Sequence, residues 1–180
     1  MIRTQEKILI KRCLKHDRLA QKALYDEYSA AMFSTAYRLT KDFDLSHDVL
    51  QDAFIKVFQS LKSYRGDGAL GGWIKTIVVR TALRNIRGLH MHLELSDELV
   101  DSGIRFDENL TGELLEQLIL ELPDRCRVIF DLIEVEGYKH YEVAEMLGVS
   151  VGTTKSQLHY AKKILKGKLV NKGYERRKKG

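Results

Sequence analysis

Asp48, Gln51 and Asp52 stand at i, i+3 and i+4, so on a helix two carboxylates and an amide share one face. Such a face can dock a basic surface. A few residues on, Lys62-Ser63-Tyr64-Arg65-Gly66 sets an aromatic among cations. Trp73 then precedes Lys75, Arg80, Arg84 and Arg87. Aromatic rings stack on unpaired bases and cations hold the phosphate backbone, so this second set has the chemistry of nucleic-acid capture. A solvated helix followed by an ordinary surface loop would show the same residues.

The elements that would position these groups are helices. Val49, Phe54, Val57, Phe58 and Leu61 recur near helical spacing, with Ser46 in front as an N-cap. Upstream, Thr4 to His16 reads as a short amphipathic helix. Leu19 to Thr40 reads as a longer one, with an apolar stripe of Ala20, Ala23, Leu24, Tyr28, Met32, Ala36 and Leu39; Lys41 to Leu45 is a turn. Trp73 opens a helix that closes near Gly88.

Helical periodicity returns from about Glu113 to Gly173. Leu114, Leu115, Leu118, Ile119 and Leu122 form one helix, Pro123 restarts the chain, and Asp124 to Glu136 forms another, ending at Gly137. Then Val143, Ala144 and Leu147 face a core, Gly148 supplies a tight turn and Ser150 caps the next helix, the spacing of a helix-turn-helix. The last helix buries Val151, Thr154, Leu158, Ala161 and Leu165. Its opposite face carries Thr153, Ser156, Tyr160 and Lys163, flanked by Gly152, Gln157 and His159. A polar face with a basic end suits the major groove. A helical hairpin on another all-α protein remains the alternative.

Composition agrees with a globular all-α chain: 44% hydrophobic, 31% charged and a single Pro in 180 residues. The net charge is +5, unevenly spread. Residues 155–180 hold ten Lys/Arg against Glu175, while 88–112 hold six acids against Arg105. The expected architecture is therefore two small helical domains, 1–88 and 113–173, joined by an acidic linker, 89–112, with a basic tail at 174–180. Cys13 and Cys126 are isolated, and His90 with His92 lacks further ligands, so neither a metal, a cofactor nor a disulfide framework is expected. No apolar run approaches a membrane span or a signal peptide, which points to a cytoplasmic protein. No phosphate loop or nucleophile–base pair is present, so an enzyme such as a metal-dependent hydrolase is disfavoured.

The stretch Asp48-Val-Leu-Gln51-Asp52-Ala-Phe54, Tyr64-Arg65-Gly66, Trp73-Ile74-Lys-Thr-Ile77 resembles region 2 of extracytoplasmic-function (ECF) sigma factors, small members of the bacterial sigma-70 family. Their pattern is D-x-x-Q-[DE]-x-F, then F/Y-R-G, then W-[IL]-x-x-I. Leu122-Pro123, Arg127-Val128-Ile129, Glu136-Gly137 and Val143-Ala144 through Leu158 resemble region 4. The resemblance implies a sigma factor, not an enzyme, that directs core RNA polymerase to promoters and helps melt them. It implies that Asp48, Gln51, Asp52 and Phe54 contact the β′ clamp helices. Lys56, Lys62, Ser63, Tyr64, Arg65, Trp73, Lys75, Arg80, Arg84 and Arg87 would bind the −10 element. Gly152, Thr153, Lys155, Ser156, Gln157, His159, Tyr160 and Lys163 would bind the −35 element, with region 4 also at the β flap. The acidic linker would thread toward the RNA exit channel. Many members are held inactive by an anti-sigma factor, which adds a candidate partner.

Several positions depart from the pattern: Arg80 for a common Asn, Arg84 for an Asp, Gln157 and Tyr160 for Arg, and Lys139 for a capping Ser. These changes bear on promoter choice, since Gln157 could read adenine where Arg favours guanine. The rival reading, a stand-alone helix-turn-helix regulator, explains residues 113–180 but leaves Asp48-Gln51-Asp52 and the Trp73 helix without a role.

Overall fold

The computed structural model describes residues 4–88 and 112–171, and every regular element among them is helical. The chain divides into two compact units, Met1–His90 and Met91–Gly180. The acidic linker and the basic tail expected from the sequence lie outside the described residues, as do His90 and His92.

In the first unit, α1 (Thr4–Cys13) packs on α2 (Arg18–Thr40), and α2, α3 (Phe43–Ser60) and α4 (Leu70–Gly88) pack on one another. Leu24, Leu39, Val49, Leu61, Leu70 and Ile74 are fully buried where these helices meet. Burying each such side chain stabilises the unit by about 2 kcal/mol before the entropy of ordering it is subtracted. Asp17 starts α2 by accepting the Leu19 and Ala20 N–H groups at 3.0 and 3.2 Å. Ala23, expected in the apolar stripe, is exposed instead, and Thr35 is buried.

The start of α3 differs from the sequence expectation. Asp42, not Ser46, is the N-cap, its Oδ1 accepting the Leu45 N–H at 2.9 Å. Ser46 lies a turn inside the helix and is fully buried, its hydroxyl donating to the Asp42 carbonyl and pairing with Thr40 Oγ1 at 2.7 Å. The helix thus takes in most of the segment expected to be a turn. A short 3₁₀ turn, Leu61–Ser63, leads out of α3, and α4 begins three residues before Trp73. Gly71 sits close against another helix: a Cβ there would stand 3.0 Å from the edge of the Tyr28 ring, a tight contact.

The second unit comprises α5 (Gly112–Leu120), α6 (Asp124–Phe130), a π-helical turn (Asp131–Val135), α7 (His140–Leu147) and α8 (Val151–Asn171). Both α6 and α7 pack on α8, around Leu118, Leu122, Ile129, Leu132 and Leu165. Pro123 lies just ahead of α6, where its missing N–H costs nothing. Arg127 is almost completely buried and donates to Asp124 Oδ1 at 2.9 Å, so this cation serves the fold. Gly148 takes φ +68°, a left-handed turn that side chains resist, and joins α7 to α8. Ser150 Oγ accepts the Thr153 N–H at 2.9 Å, the cap expected from the sequence. Lys139 gives α7 no side-chain cap, but Glu142 reaches back and accepts the Lys139 N–H at 2.7 Å. Val151, expected in the core, is 40% exposed.

Candidate docking face and nucleic-acid interface

On α3, Asp48, Gln51 and Asp52 are all exposed and share one side of the helix. Phe54 does not join them. It is 3% exposed and meets Tyr25 edge-to-face at a centroid distance of 4.8 Å, so its ring belongs to the core and cannot be a partner contact while the bundle stands. The apolar side chain on the acidic side is its neighbour Ile55, 49% exposed, at i+4 from Gln51 and i+3 from Asp52. Hydrophobicity alone does not separate these two adjacent residues; helix phase does.

Lys56 is half-buried and its Nζ donates to Thr81 Oγ1 of α4 at 3.0 Å. Burial, followed by the nearby Arg84, lowers the Lys56 pKa, against the pull of Asp52. The ammonium is thus tied between α3 and α4 beside Arg84, not free in solvent.

In the 3₁₀ turn and just past it, Lys62, Ser63 and Arg65 are exposed and Tyr64 is half-buried. Ser63 Oγ donates to the Ser60 carbonyl at 2.7 Å, and the Tyr64 hydroxyl donates to the Gly68 carbonyl, closing the loop on itself. The Tyr64 and Trp73 ring centroids lie 5.5 Å apart at an interplanar angle of 47°. Burial, then Glu6 and Asp67, raise the Tyr64 pKa, so the phenol stays protonated.

Along α4, spacings of seven and four residues set Trp73, Arg80 and Arg84 in one stripe, whereas Lys75 falls about 160° round the helix from Trp73. Arg80 and Arg84 are exposed. The Arg87 side chain lies outside the described residues. The expected cation set is therefore brought together only in part: Lys56 lies beside Arg84 at the α3–α4 seam, Arg80 and Arg84 share the helix stripe of Trp73 one turn or more further along, and Lys75 faces elsewhere.

In the second unit, Gly152, Lys155, Tyr160 and Lys163 of α8 are exposed, while Thr153, Ser156 and His159 are half-buried. Thr153 Oγ1 pairs with Ser150 Oγ at 2.9 Å, and Ser156 Oγ donates to the Thr153 carbonyl at 3.1 Å. Gln157 departs from expectation. It is 8% exposed, one turn from buried Thr154 and Ala161, and its amide is not presented as a base reader. Sequence reading missed His140, whose Nδ1 lies 3.0 Å from Thr154 Oγ1 and links α7 to α8. Burial and then Lys155 lower its pKa, with Glu134 opposing and Lys162 adding to the effect. Lys162 pairs with Glu134 at 2.8 Å and Lys168 with Glu121 at 2.5 Å, so these two cations of the basic C-terminal stretch hold α8 to its own unit.

Among the described residues no group of three or more His, Cys, Asp or Glu could hold a metal ion, and no helix is long and apolar enough to cross a membrane.

The sigma-70 region 2 family model matches residues 24–90, and the sigma-70 region 4 family model matches residues 112–165. The chain is 30% identical to the ECF RNA polymerase sigma-E factor of Escherichia coli (strain K12), over 91% of this chain and 94% of that one. It is 25% identical to the ECF RNA polymerase sigma-E factor of Haemophilus influenzae, over 91% and 95%. Two solved structures share the fold. One is the sigma factor RpoE in complex with the anti-sigma factor NepR from Bartonella quintana, with a TM-score of 0.53 and 22% identity over 83% of this chain and 96% of that one. The other is CnrH in complex with the cytosolic domain of CnrY, with a TM-score of 0.50 and 19% identity over 91% and 96%.

Proposed function

This chain belongs to the extracytoplasmic-function sigma factors of the sigma-70 family, and from that membership we infer how its surfaces divide the work of transcription initiation. A sigma factor directs core RNA polymerase to promoters, and the open question is which residues of this chain do so. The exposed Asp48, Gln51 and Asp52 row of α3 docks on the β′ clamp helices. Tyr64, Trp73, Arg65, Lys62, Arg80 and Arg84 engage the −10 element as it opens. Flipping a base out of the duplex costs a few kcal/mol, and stacking on an aromatic returns about 1–3 kcal/mol per base. The exposed N-terminal and central side chains of α8, with Lys155 and Lys163 on phosphates, hold the −35 element in the major groove, and the same unit meets the β flap. Residues 89–112 serve as the linker between the two domains, 1–88 and 113–173. The protein works in the cytoplasm, where polymerase works, and does no covalent chemistry of its own.

The observation that carries this reading is the coincidence of each matched region with one compact helical unit: region 2 with the unit bearing the α3 acids and the Tyr64–Trp73 pair, region 4 with the α7–α8 helix-turn-helix. A stand-alone regulator would leave the first unit without a role. An anti-sigma factor is a further proposed partner, supported by the complexes in which the two structural relatives were solved.

Run-off transcription with purified core polymerase on genomic promoter fragments tests the reading. Wild type should start transcripts and a folded Asp52→Lys variant should not. Specific duplex binding by the protein alone, with no gain of initiation by polymerase, would return the regulator reading.

A further inference from the structure

The exposed side of α3 carries two parallel rows. Asp44, Asp48 and Asp52 form one at four-residue spacing, all exposed. Phe43, His47, Gln51 and Ile55 form the other, one residue over, also all exposed. Phe43 begins the helix and is 61% exposed, which is unusual for so large an apolar ring. It does not stand alone. Its ring meets that of Phe33 on α2 at 5.3 Å and that of His47 at 4.7 Å, and Phe33 and His47 lie 4.5 Å apart. Phe33 continues to Tyr37 in a stacked pair at 6.2 Å. An aromatic patch thus spans the α2–α3 corner and runs directly into the docking row.

We propose that Phe43, His47 and Ile55, supported by Phe33, form an apolar ridge that docks core RNA polymerase together with the acidic row. This inference rests on the docking reading above and extends it by about one and a half turns toward the start of α3. The occupant is a basic polymerase surface, and charge selects it: three carboxylates in line exclude an acidic partner or nucleic acid and attract Arg or Lys. The chemistry of those side chains fits both rows at once. The charged head pairs with Asp44 or Asp48 while the aliphatic stem, or the planar guanidinium, lies on the Phe43 and His47 rings. Rings already braced against one another lose little conformational freedom on binding, and desolvated aromatics dominate interface energetics. The ridge also supplies the apolar anchor that Phe54, being buried, cannot.

Equilibrium binding of the labelled full-length chain to purified core polymerase tests the proposal with Phe43→Ala, Ile55→Ala and Asp52→Lys. Thermal unfolding of each variant is followed in parallel. Phe43→Ala and Ile55→Ala should each weaken binding about tenfold at unchanged melting temperature. Ile55→Ala, at the far end of the row, decides the matter if Phe43→Ala melts early. Wild-type affinity in the apolar variants with loss in Asp52→Lys would overturn the ridge and leave the acidic docking face standing. Wild-type affinity in all three would overturn both.

Discussion

Tyr64 opens a Gly-containing loop and Trp73 lies about one turn inside the helix that follows it, yet their ring centroids lie 5.5 Å apart. The Tyr64 hydroxyl is spent on the Gly68 carbonyl, so the phenol is fixed by the loop it belongs to. A pair of half-buried aromatics in fixed geometry, flanked by the exposed cations Lys62 and Arg65, is a ready stacking platform. Trp73→Ala should therefore weaken retention of a forked, single-stranded −10 template by holoenzyme by about 1–3 kcal/mol. Tyr64→Phe keeps the ring and should cost about 1 kcal/mol or less. Equal losses on forked and fully duplex templates would show that the pair acts before melting and not on the open strand.

Much of this organisation was legible in the sequence because its signals are local. Gly148 and Ser150 mark the bend and cap of the helix-turn-helix without reference to anything distant, and both stand as read. What was misread depends on tertiary context. Ser46 has the right chemistry for an N-cap, but Asp42 has it too and stands one turn earlier, where its Oδ1 accepts the Leu45 N–H. Gln157 flanks the face of α8 that the sequence marks as polar, and Phe54 closes the motif that carries the region 2 resemblance. Their phase, between Thr154 and Ala161 and between Leu50 and Val57, puts both inward. The aromatic corner of Phe33, Phe43 and His47 joins two helices, so no single-helix periodicity displays it; the four-residue row from Phe43 to Ile55 was its only trace.

The burial of Gln157 separates two roles on α8. Lys155 is exposed, and its removal should lower the salt dependence of holoenzyme binding to a −35 duplex by about one unit of log–log slope, evenly across sequences. Gln157→Ala should leave that slope and the base preference unchanged, and lower stability by about 1 kcal/mol. Binding isotherms at several salt concentrations, on duplexes differing at single −35 positions, distinguish the two. A change of base preference in Gln157→Ala would mean that the side chain turns outward on DNA.

Gly71 and Gly72 are neighbours in α4 with opposite expectations. A Cβ at Gly71 would meet the Tyr28 ring at 3.0 Å, whereas one at Gly72 would meet nothing within 4 Å. The Tyr28 ring is half-buried, and its hydroxyl donates to Glu6 of α1 at 3.4 Å, so a shift of the ring would disturb that contact. Gly71→Ala should destabilise the protein by about 1–3 kcal/mol, and Gly72→Ala should stabilise it by about 0.5–1 kcal/mol. Chemical denaturation of the two variants reads this directly. Loss of stability in both would point to the backbone conformation, not the Tyr28 contact, as the constraint.

His140 gives the second unit a dependence on acid. Burial is the largest cause of its lowered pKa, followed by Lys155, so the folded state resists the imidazolium more than the unfolded chain does. Between 6.5, its ordinary value, and the lower folded value the unfolded state binds more protons, and stability rises with pH across that window. Acidification below 6.5 should therefore loosen α7 from α8 by charging a ring that sits 3.0 Å from the Thr154 hydroxyl. Calorimetric unfolding of the full chain from about pH 7.5 to about pH 5 should show this decline in wild type. His140→Asn, which can keep a partner for Thr154 but cannot titrate there, should flatten the slope. A slope that is the same in both proteins would assign the acid sensitivity to another group.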